Sequence, residues 1–479
     1  MIWLLLIAAL FVGCAAPRSS VDDAALEWRD CGAPFECAEL RVPLDPDAAA
    51  RGELSLALLR RPAEKPAERI GTLVVNPGGP GISAVDHLRS SAARYGAAVR
   101  ERFDLVAFDT RGTGASSGLD CHESLAAFYA QDPTPETDAE WAAVVTASRA
   151  FADECARRHA DVLPFMGTRE SARDLDLVRR ALGEEQISYL GFSYGTALGA
   201  VYASLYPERV RAMVLDGAVE PSFELLRFAR EQAIGVEGAL GAYEAAALKE
   251  GWHGTDVLDA VTARAEAGPI PSRGELRPAH ASDVLYGTVE GLIAPGDGWH
   301  ELASALGSAQ AGDGAGFVRL SDHYFQREPD GSSGLRVEAQ LAVLCADLHR
   351  LASIDAYREA LAELERSAPH IGVPNLISLL PCAFWPTPAR PLPPLEPGAG
   401  AHVLVIAGSA DPLTPHVWGE RLAQEIGAAA QLDVETDVHT AYGRGDDCTG
   451  QIVERFLLAL ELPPAPSRCP SAKRVLSMP

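Results

Sequence analysis

The sequence predicts an α/β fold: a mostly parallel sheet with helices on both faces, interrupted by an inserted helical cap. Three observations lead there. From Leu54 to Gly217 short apolar runs alternate with helical patterns. Beyond Pro221 the chain turns into long stretches rich in alanine, leucine and glutamate, without strand-like runs, as far as about Phe384. The strand pattern then resumes at Ala401.

Taken in order, Thr72–Asn76, Phe103–Asp109, Ile187–Phe192 and Ala212–Asp216 read as buried strands, because each is a short apolar run bounded by polar or turn residues. Between them, residues 170–182 place Ala172, Leu175, Val178 and Leu182 on one helical face, with Thr168 as the expected N-cap. Residues 221–397 read as a cap ending in a proline-rich linker, Pro386–Pro397, since proline fixes an extended chain and cannot continue a helix. Ala401–Gly408 and Gln431–Thr436 complete the sheet, with helices expected at 415–426 and 449–460. The resulting organisation is a signal peptide at 1–13, an N-terminal extension at 14–52, the core at 53–220 and 398–479, and the cap between the two core parts.

A chain of 479 residues that is 47% hydrophobic can bury a large core. Its formal net charge of -25 argues against a nucleic-acid backbone or an anionic membrane surface as partner, because both would be repelled. No HExxH, CxxC or phosphate-cradling GxxxxGK[ST] occurs, so the sequence makes no case for a metal, redox or nucleotide cofactor. The apolar run Met1–Cys14 is short for a membrane span and suits a signal-peptide core. Phe11-Val-Gly-Cys14 resembles a lipobox, which would lipidate Cys14 and attach an exported protein to a membrane. Besides Cys14 there are eight cysteines, at 31, 37, 121, 155, 345, 382, 448 and 469. An even set in an exported chain points to four disulfides; many connectivities are open, and the simplest pairs neighbours in sequence.

The candidate nucleophile is Ser193, in Gly191-Phe-Ser-Tyr-Gly195 between the strand Ile187–Phe192 and a helix of small residues. At so sharp a strand-to-helix turn, side chains at the flanking positions would collide with the neighbouring elements, and glycine removes them. Ala197 and Gly199 then let the helix sit close on the sheet. A serine hydroxyl needs a histidine to take its proton and a carboxylate to hold that histidine. Asp411, in a proline-bounded turn after a strong strand, and His439, in the loop before the final helix, stand in the Ser, Asp, His order expected on such a sheet. Asp216 is the second choice of acid and Asp437 the third. The developing oxyanion needs donors already in place, for which the Tyr194 backbone N–H and the Gly79 N–H of Asn76-Pro-Gly-Gly-Pro-Gly81 are the candidates.

Further segments carry a resemblance: Trp28–Pro46 with Val42-Pro-Leu-Asp45, Asp109-Thr-Arg-Gly-Thr-Gly114, Leu215-Asp-Gly217, Cys345-Ala-Asp347 and Cys382-Ala-Phe-Trp-Pro386. Together with the Asn76–Gly81, Ser193, Asp411 and His439 segments, they resemble the tripeptidyl aminopeptidase and proline iminopeptidase group of α/β-hydrolases, especially exported members with a TAP-like C-terminal segment. The resemblance implies an exported serine exopeptidase acting on peptides with a free N-terminus, with Ser193, Asp411 and His439 as its triad. The chain departs from the group where Gly81 is followed by Ile-Ser rather than more glycine, which is expected to narrow the acyl-side pocket. An aminopeptidase must also hold the substrate ammonium, and Glu220, Glu338 and Asp347 are the carboxylates proposed for this from the sequence. The alternatives are a carboxylic-ester hydrolase with the same triad and a non-catalytic binding protein on the same fold.

Overall fold

The computed structural model describes residues 26–221, 224–294, 297–327, 336–444 and 447–470; the expected signal peptide and Cys14 lie outside them. Among the described residues ten strands form one sheet: β1 (Arg29–Asp30), β2 (Glu36–Pro43), β3 (Glu53–Arg61), β4 (Gly71–Asn76), β5 (Phe103–Phe108), β6 (Ile187–Phe192), β7 (Val210–Asp216), β8 (Val403–Gly408), β9 (Ala430–Val434) and β10 (Ser467–Cys469). Their spatial order is β1-β2-β3-β5-β4-β6-β7-β8-β9-β10. The first three are antiparallel, as is the pairing of β3 with β5. Every other pairing is parallel.

Burial explains the division. The runs Gly-Thr-Leu-Val-Val-Asn of β4 and Val-Leu-Val-Ile-Ala-Gly of β8 are buried at every position, as central parallel strands covered by helices on both faces must be. In β2, Ala38, Leu40 and Val42 are buried while Glu39 and Arg41 are exposed, the alternation of an antiparallel strand with one wet face. Strands β1 and β2 lie within the segment read from the sequence as an N-terminal extension, so that segment adds the antiparallel edge to the sheet. One strand follows the segment expected to be last: β10 is only three residues long, too short to show a period, and it lies beside β9 with the Cys448–Cys469 disulfide joining it to the helix Asp447–Ala459.

Between β7 and β8 the long regular elements of the described residues are helices, from Leu225–Ala247 to Gly372–Ser378. These helices enclose an apolar cluster of their own, including Val236, Tyr243, Leu258, Leu292, Trp299 and Phe317, separate from the core under the sheet. The proline-rich return is not a loose tether, because Leu392 and Leu395 are buried against the main core. The disulfides pair Cys31 with Cys37, Cys121 with Cys155, Cys345 with Cys382 and Cys448 with Cys469. Four such bonds fit an oxidising, extracytoplasmic compartment. Among the described residues no helix is long and apolar enough to cross a membrane.

Candidate active site

Ser193 sits between the end of β6 and the helix Tyr194–Leu205 at φ 53° and ψ -127°, a conformation that costs energy for any residue with a Cβ. The surroundings leave no other course for the chain. A Cβ on Gly191 would lie 2.4 Å from the Gly195 carbonyl oxygen, and one on Gly195 would lie 2.7 Å from that of Asn76. Gly199 packs so closely that a Cβ there would meet the Tyr189 ring at 2.7 Å and Leu215 at 2.8 Å. The Ser193 N–H donates to the Asp216 carbonyl at 2.9 Å, and the Tyr189 hydroxyl donates to the Gly195 carbonyl at 2.7 Å, so hydrogen bonds pin both sides of the turn.

Parallel strands bring the other candidates to the same edge of the sheet, since Asp411 follows β8 and His439 follows β9. His439 Nδ1 lies 2.9 and 3.1 Å from the two Asp411 oxygens. Asp411 also accepts the backbone N–H of Leu413, Thr414 and Thr440 at 2.9–3.1 Å. Burial alone would raise its pKa; His439 and the Thr414 and Thr440 N–H groups outweigh burial and hold the carboxyl below its ordinary range. Asp216, the second choice of acid, does a different job: it accepts the N–H groups of Ala441 and Tyr442, just beyond His439. Burial pushes Asp216 up to about 6, against those donors and with the Asp411 charge adding to the rise.

Ser193 and His439 line one cavity of about 660 Å³, together with Gly79 and Tyr194. Gly78 packs directly on the elbow: its N–H is taken by Asn76 Oδ1 at 2.9 Å, and a Cβ on it would stand 2.9 Å from Tyr194 N. Gly79, at φ 109°, reaches the cavity wall that Tyr194 also lines, between Pro77 and Pro80 of the same loop. Ile82 lines the same cavity, in the place where the departure from the family pattern was expected to narrow it.

The three carboxylates proposed from the sequence for an ammonium are not on that wall. Glu220 is buried and paired with Arg227 at 2.5 Å and Arg421 at 3.5 Å, so its charge is already balanced. Glu338 is on the helix Arg336–Asp347 that walls the cavity with Val337, Gln340, Leu341 and Leu344, and it is itself fully buried off that face. Asp347 accepts the Thr168 N–H at 3.1 Å and the Thr168 hydroxyl at 2.5 Å. It therefore serves the helix Thr168–Ala181, whose N-cap is Gly167 with no capping side chain; Thr168, expected as the cap, is the donor instead. Among the described residues the acids that do line the cavity are Asp322 and Glu290, both from the cap. Asp322 is held by Arg277 and Arg327 at 2.5 and 3.0 Å. Glu290, mostly buried, meets His323 Nδ1 at 2.7 Å. Nothing local in the sequence distinguished Glu290 from the other acids of the chain, because its place depends on how the cap helices pack.

A strained elbow serine at the carboxyl edge of a doubly covered parallel sheet defines a class of proteins, the α/β-hydrolase fold. The comparisons agree: residues 71–250 match the family of the alpha/beta hydrolase fold, and residues 368–469 match that of TAP-like proteins. Serine protease Hip1 of Mycobacterium tuberculosis is 31% identical over 90% of this chain and 87% of its own. Carboxylesterase B of the same species is 35% identical over 90% of this chain and 86% of its own. Tripeptidyl aminopeptidase of Streptomyces lividans is 30% identical over 93% and 87%. The chain belongs to the α/β-hydrolase family of serine hydrolases, in its TAP-like branch.

Proposed function

We propose that this protein is an exported serine exopeptidase that releases short units, from a single residue such as proline to a tripeptide, from the free N-terminus of peptides. The observation that carries the reading is Glu290: a mostly buried carboxylate on the cap wall of the cavity that Ser193 and His439 line. A substrate ammonium held there by charge-assisted hydrogen bonds would set the distance between N-terminus and Ser193, and hence the length released. The names of the Hip1 and tripeptidyl aminopeptidase relatives support a peptide substrate.

In this reading Ser193 Oγ attacks the carbonyl while His439 takes its proton, with the imidazole held in the required tautomer by Asp411. Negative charge grows on the carbonyl oxygen and is received by the Gly79 and Tyr194 N–H groups. His439 then protonates the departing amine, and water resolves the acyl-enzyme by the same path in reverse. Export would rest on the Met1–Gly13 segment, with lipidation of Cys14 as the means of membrane attachment.

A second reading is favoured by the carboxylesterase relative, because the same triad cleaves esters. The experiment that separates them is hydrolysis of aminoacyl, prolyl, dipeptidyl and tripeptidyl arylamides, each with a free and an acetylated N-terminus, by the wild type and Ser193→Ala. Cleavage of free-amine substrates alone, lost in the variant, supports the exopeptidase. Turnover of acyl esters without any of the amides supports the esterase.

A further inference from the structure

A second, smaller cavity of about 180 Å³ adjoins the first at His439. It shares Pro77, Ile82, His87, His439 and Arg444 with the large cavity, but among the described residues it takes in neither Ser193, Tyr194 nor any cap residue. Two arginines line it, Arg94 and Arg444, and among the described residues no aspartate or glutamate does. In a chain of net charge -25, the described lining of this cavity beside the catalytic histidine is cationic. The two arginines come from separate segments that meet here: a Cβ on Gly443 would stand 4.0 Å from Arg94 Cβ. Arg444 is anchored by its hydrogen bonds to the His439 carbonyl at 3.0 Å and to the Thr440 hydroxyl at 3.2 Å. Burial, with Arg94 and Arg444 adding to it, pushes His87 down to about 4, so its imidazole is neutral and the cationic groups at neutral pH are the guanidiniums.

The position of this cavity gives it a meaning that rests on the exopeptidase reading. The acyl part of the substrate lies toward the oxyanion loop and the cap, whereas the amine that departs must receive its proton from His439 and so passes on the histidine side. We propose that the Arg94 and Arg444 cavity receives the residue that follows the scissile bond and reads its free α-carboxylate, so that the preferred substrates are short peptides ending one residue beyond the cut. Its volume suits about one residue, and guanidinium groups are the favoured partners of carboxylates. Both arginines are solvent exposed, so the preference is moderate and falls with salt.

The test is a pair of peptides one residue longer than the unit the enzyme releases, identical except for a C-terminal acid or amide, compared by kcat/KM with the full chain. The acid is expected to be favoured about tenfold at low ionic strength, the size of one charge-assisted contact, and less at high salt. Arg94→Gln and Arg444→Gln should each bring the ratio toward one, and Arg94→Glu should reverse it. Because the ratio is taken within each variant, a general loss of activity cancels. A wild-type ratio near one, or a ratio that Arg94→Glu leaves unchanged, overturns this cavity's role while the exopeptidase reading stands. Absence of turnover on every peptide and arylamide overturns both.

Discussion

Asp216 accepts the backbone N–H of Tyr442 at 2.7 Å, and so fastens the end of β7 to the loop that presents His439. The Ala441 N–H, at 3.0 Å from both oxygens, makes the grip two-pronged. Replacing Asp216 by alanine leaves two buried donors without an acceptor, at about 1–3 kcal/mol each. The expected outcome is a lower Tm together with a fall in kcat of about tenfold or more and little change in KM, since the histidine is displaced while the substrate pocket is intact. Wild-type kcat in Asp216→Ala would mean that the loop holds its own shape.

Asp411 faces His439 with both oxygens, and its loss is expected to act through the imidazole tautomer. Asp411→Asn should lower kcat/KM on the best arylamide by about 10³–10⁴-fold while circular dichroism stays native. The carboxylate pKa is depressed on folding, so its stabilising contribution is full above the unfolded value near 3.8 and is lost as pH falls through the lower folded value. Acid unfolding of the wild type should accordingly begin only below about pH 4 where this group is concerned, which a pH series of melts compares with Asp411→Asn.

Glu290 is the carboxylate offered to the substrate ammonium, and His323 competes for it. The Glu290 hydrogen bond raises the His323 pKa above 6.5, with Glu301 adding to the rise and burial and Arg336 opposing it. Below that raised value the imidazolium balances Glu290; above it the carboxylate is available. KM for free-amine substrates should therefore rise as pH drops from 8 to 6, and this acid limb should flatten in His323→Gln. Glu290→Gln should raise KM by about tenfold or more at pH 8 with a smaller effect on kcat. A Glu290→Gln enzyme with unchanged KM would place the ammonium elsewhere.

Asp347, buried against Thr168, carries a pKa pushed up to about 7 by burial, with the Thr168 donors opposing the rise. The folded chain thus holds this proton at pH values where the unfolded chain has released it. Stability from this group is greatest below the unfolded value near 3.8, declines as pH rises, and is fully spent above about 7, a loss on the order of 4 kcal/mol. Asp347→Asn keeps an acceptor for Thr168 and cannot ionise, so its Tm should exceed that of the wild type at pH 8 and converge with it at pH 4. Because the Thr168 hydroxyl also meets the Tyr194 hydroxyl at 2.6 Å, Asp347 lies two hydrogen bonds, through Thr168, from the residue that follows Ser193. Identical melting curves of the two proteins across this range would show that Asp347 does not titrate there.

Much of the scaffold is legible because it is written in local patterns. Short fully apolar runs such as Val403–Gly408, bounded by turn residues, read as strands covered on both faces, Gly191 and Gly195 mark a turn where a Cβ would collide, and Gly199 marks the close packing of the following helix. Chain order and strand ends then singled out Ser193, Asp411 and His439. The edge strand β2 escaped notice although its alternation of Ala38, Leu40 and Val42 with Glu39 and Arg41 is a period-2 signal, whereas the three residues of β10 are too few to show a period and pair with β9 about thirty-five residues away. Acidic side chains were the least readable feature. Glu220, Glu338 and Asp347 look alike in sequence, and it is packing that gives one an arginine pair, one a place off the cavity face and one a helix end to cap. A backbone course is set by short-range sterics and periodicity, whereas the charge, partners and accessibility of a carboxylate are set by whichever distant residues the fold brings against it.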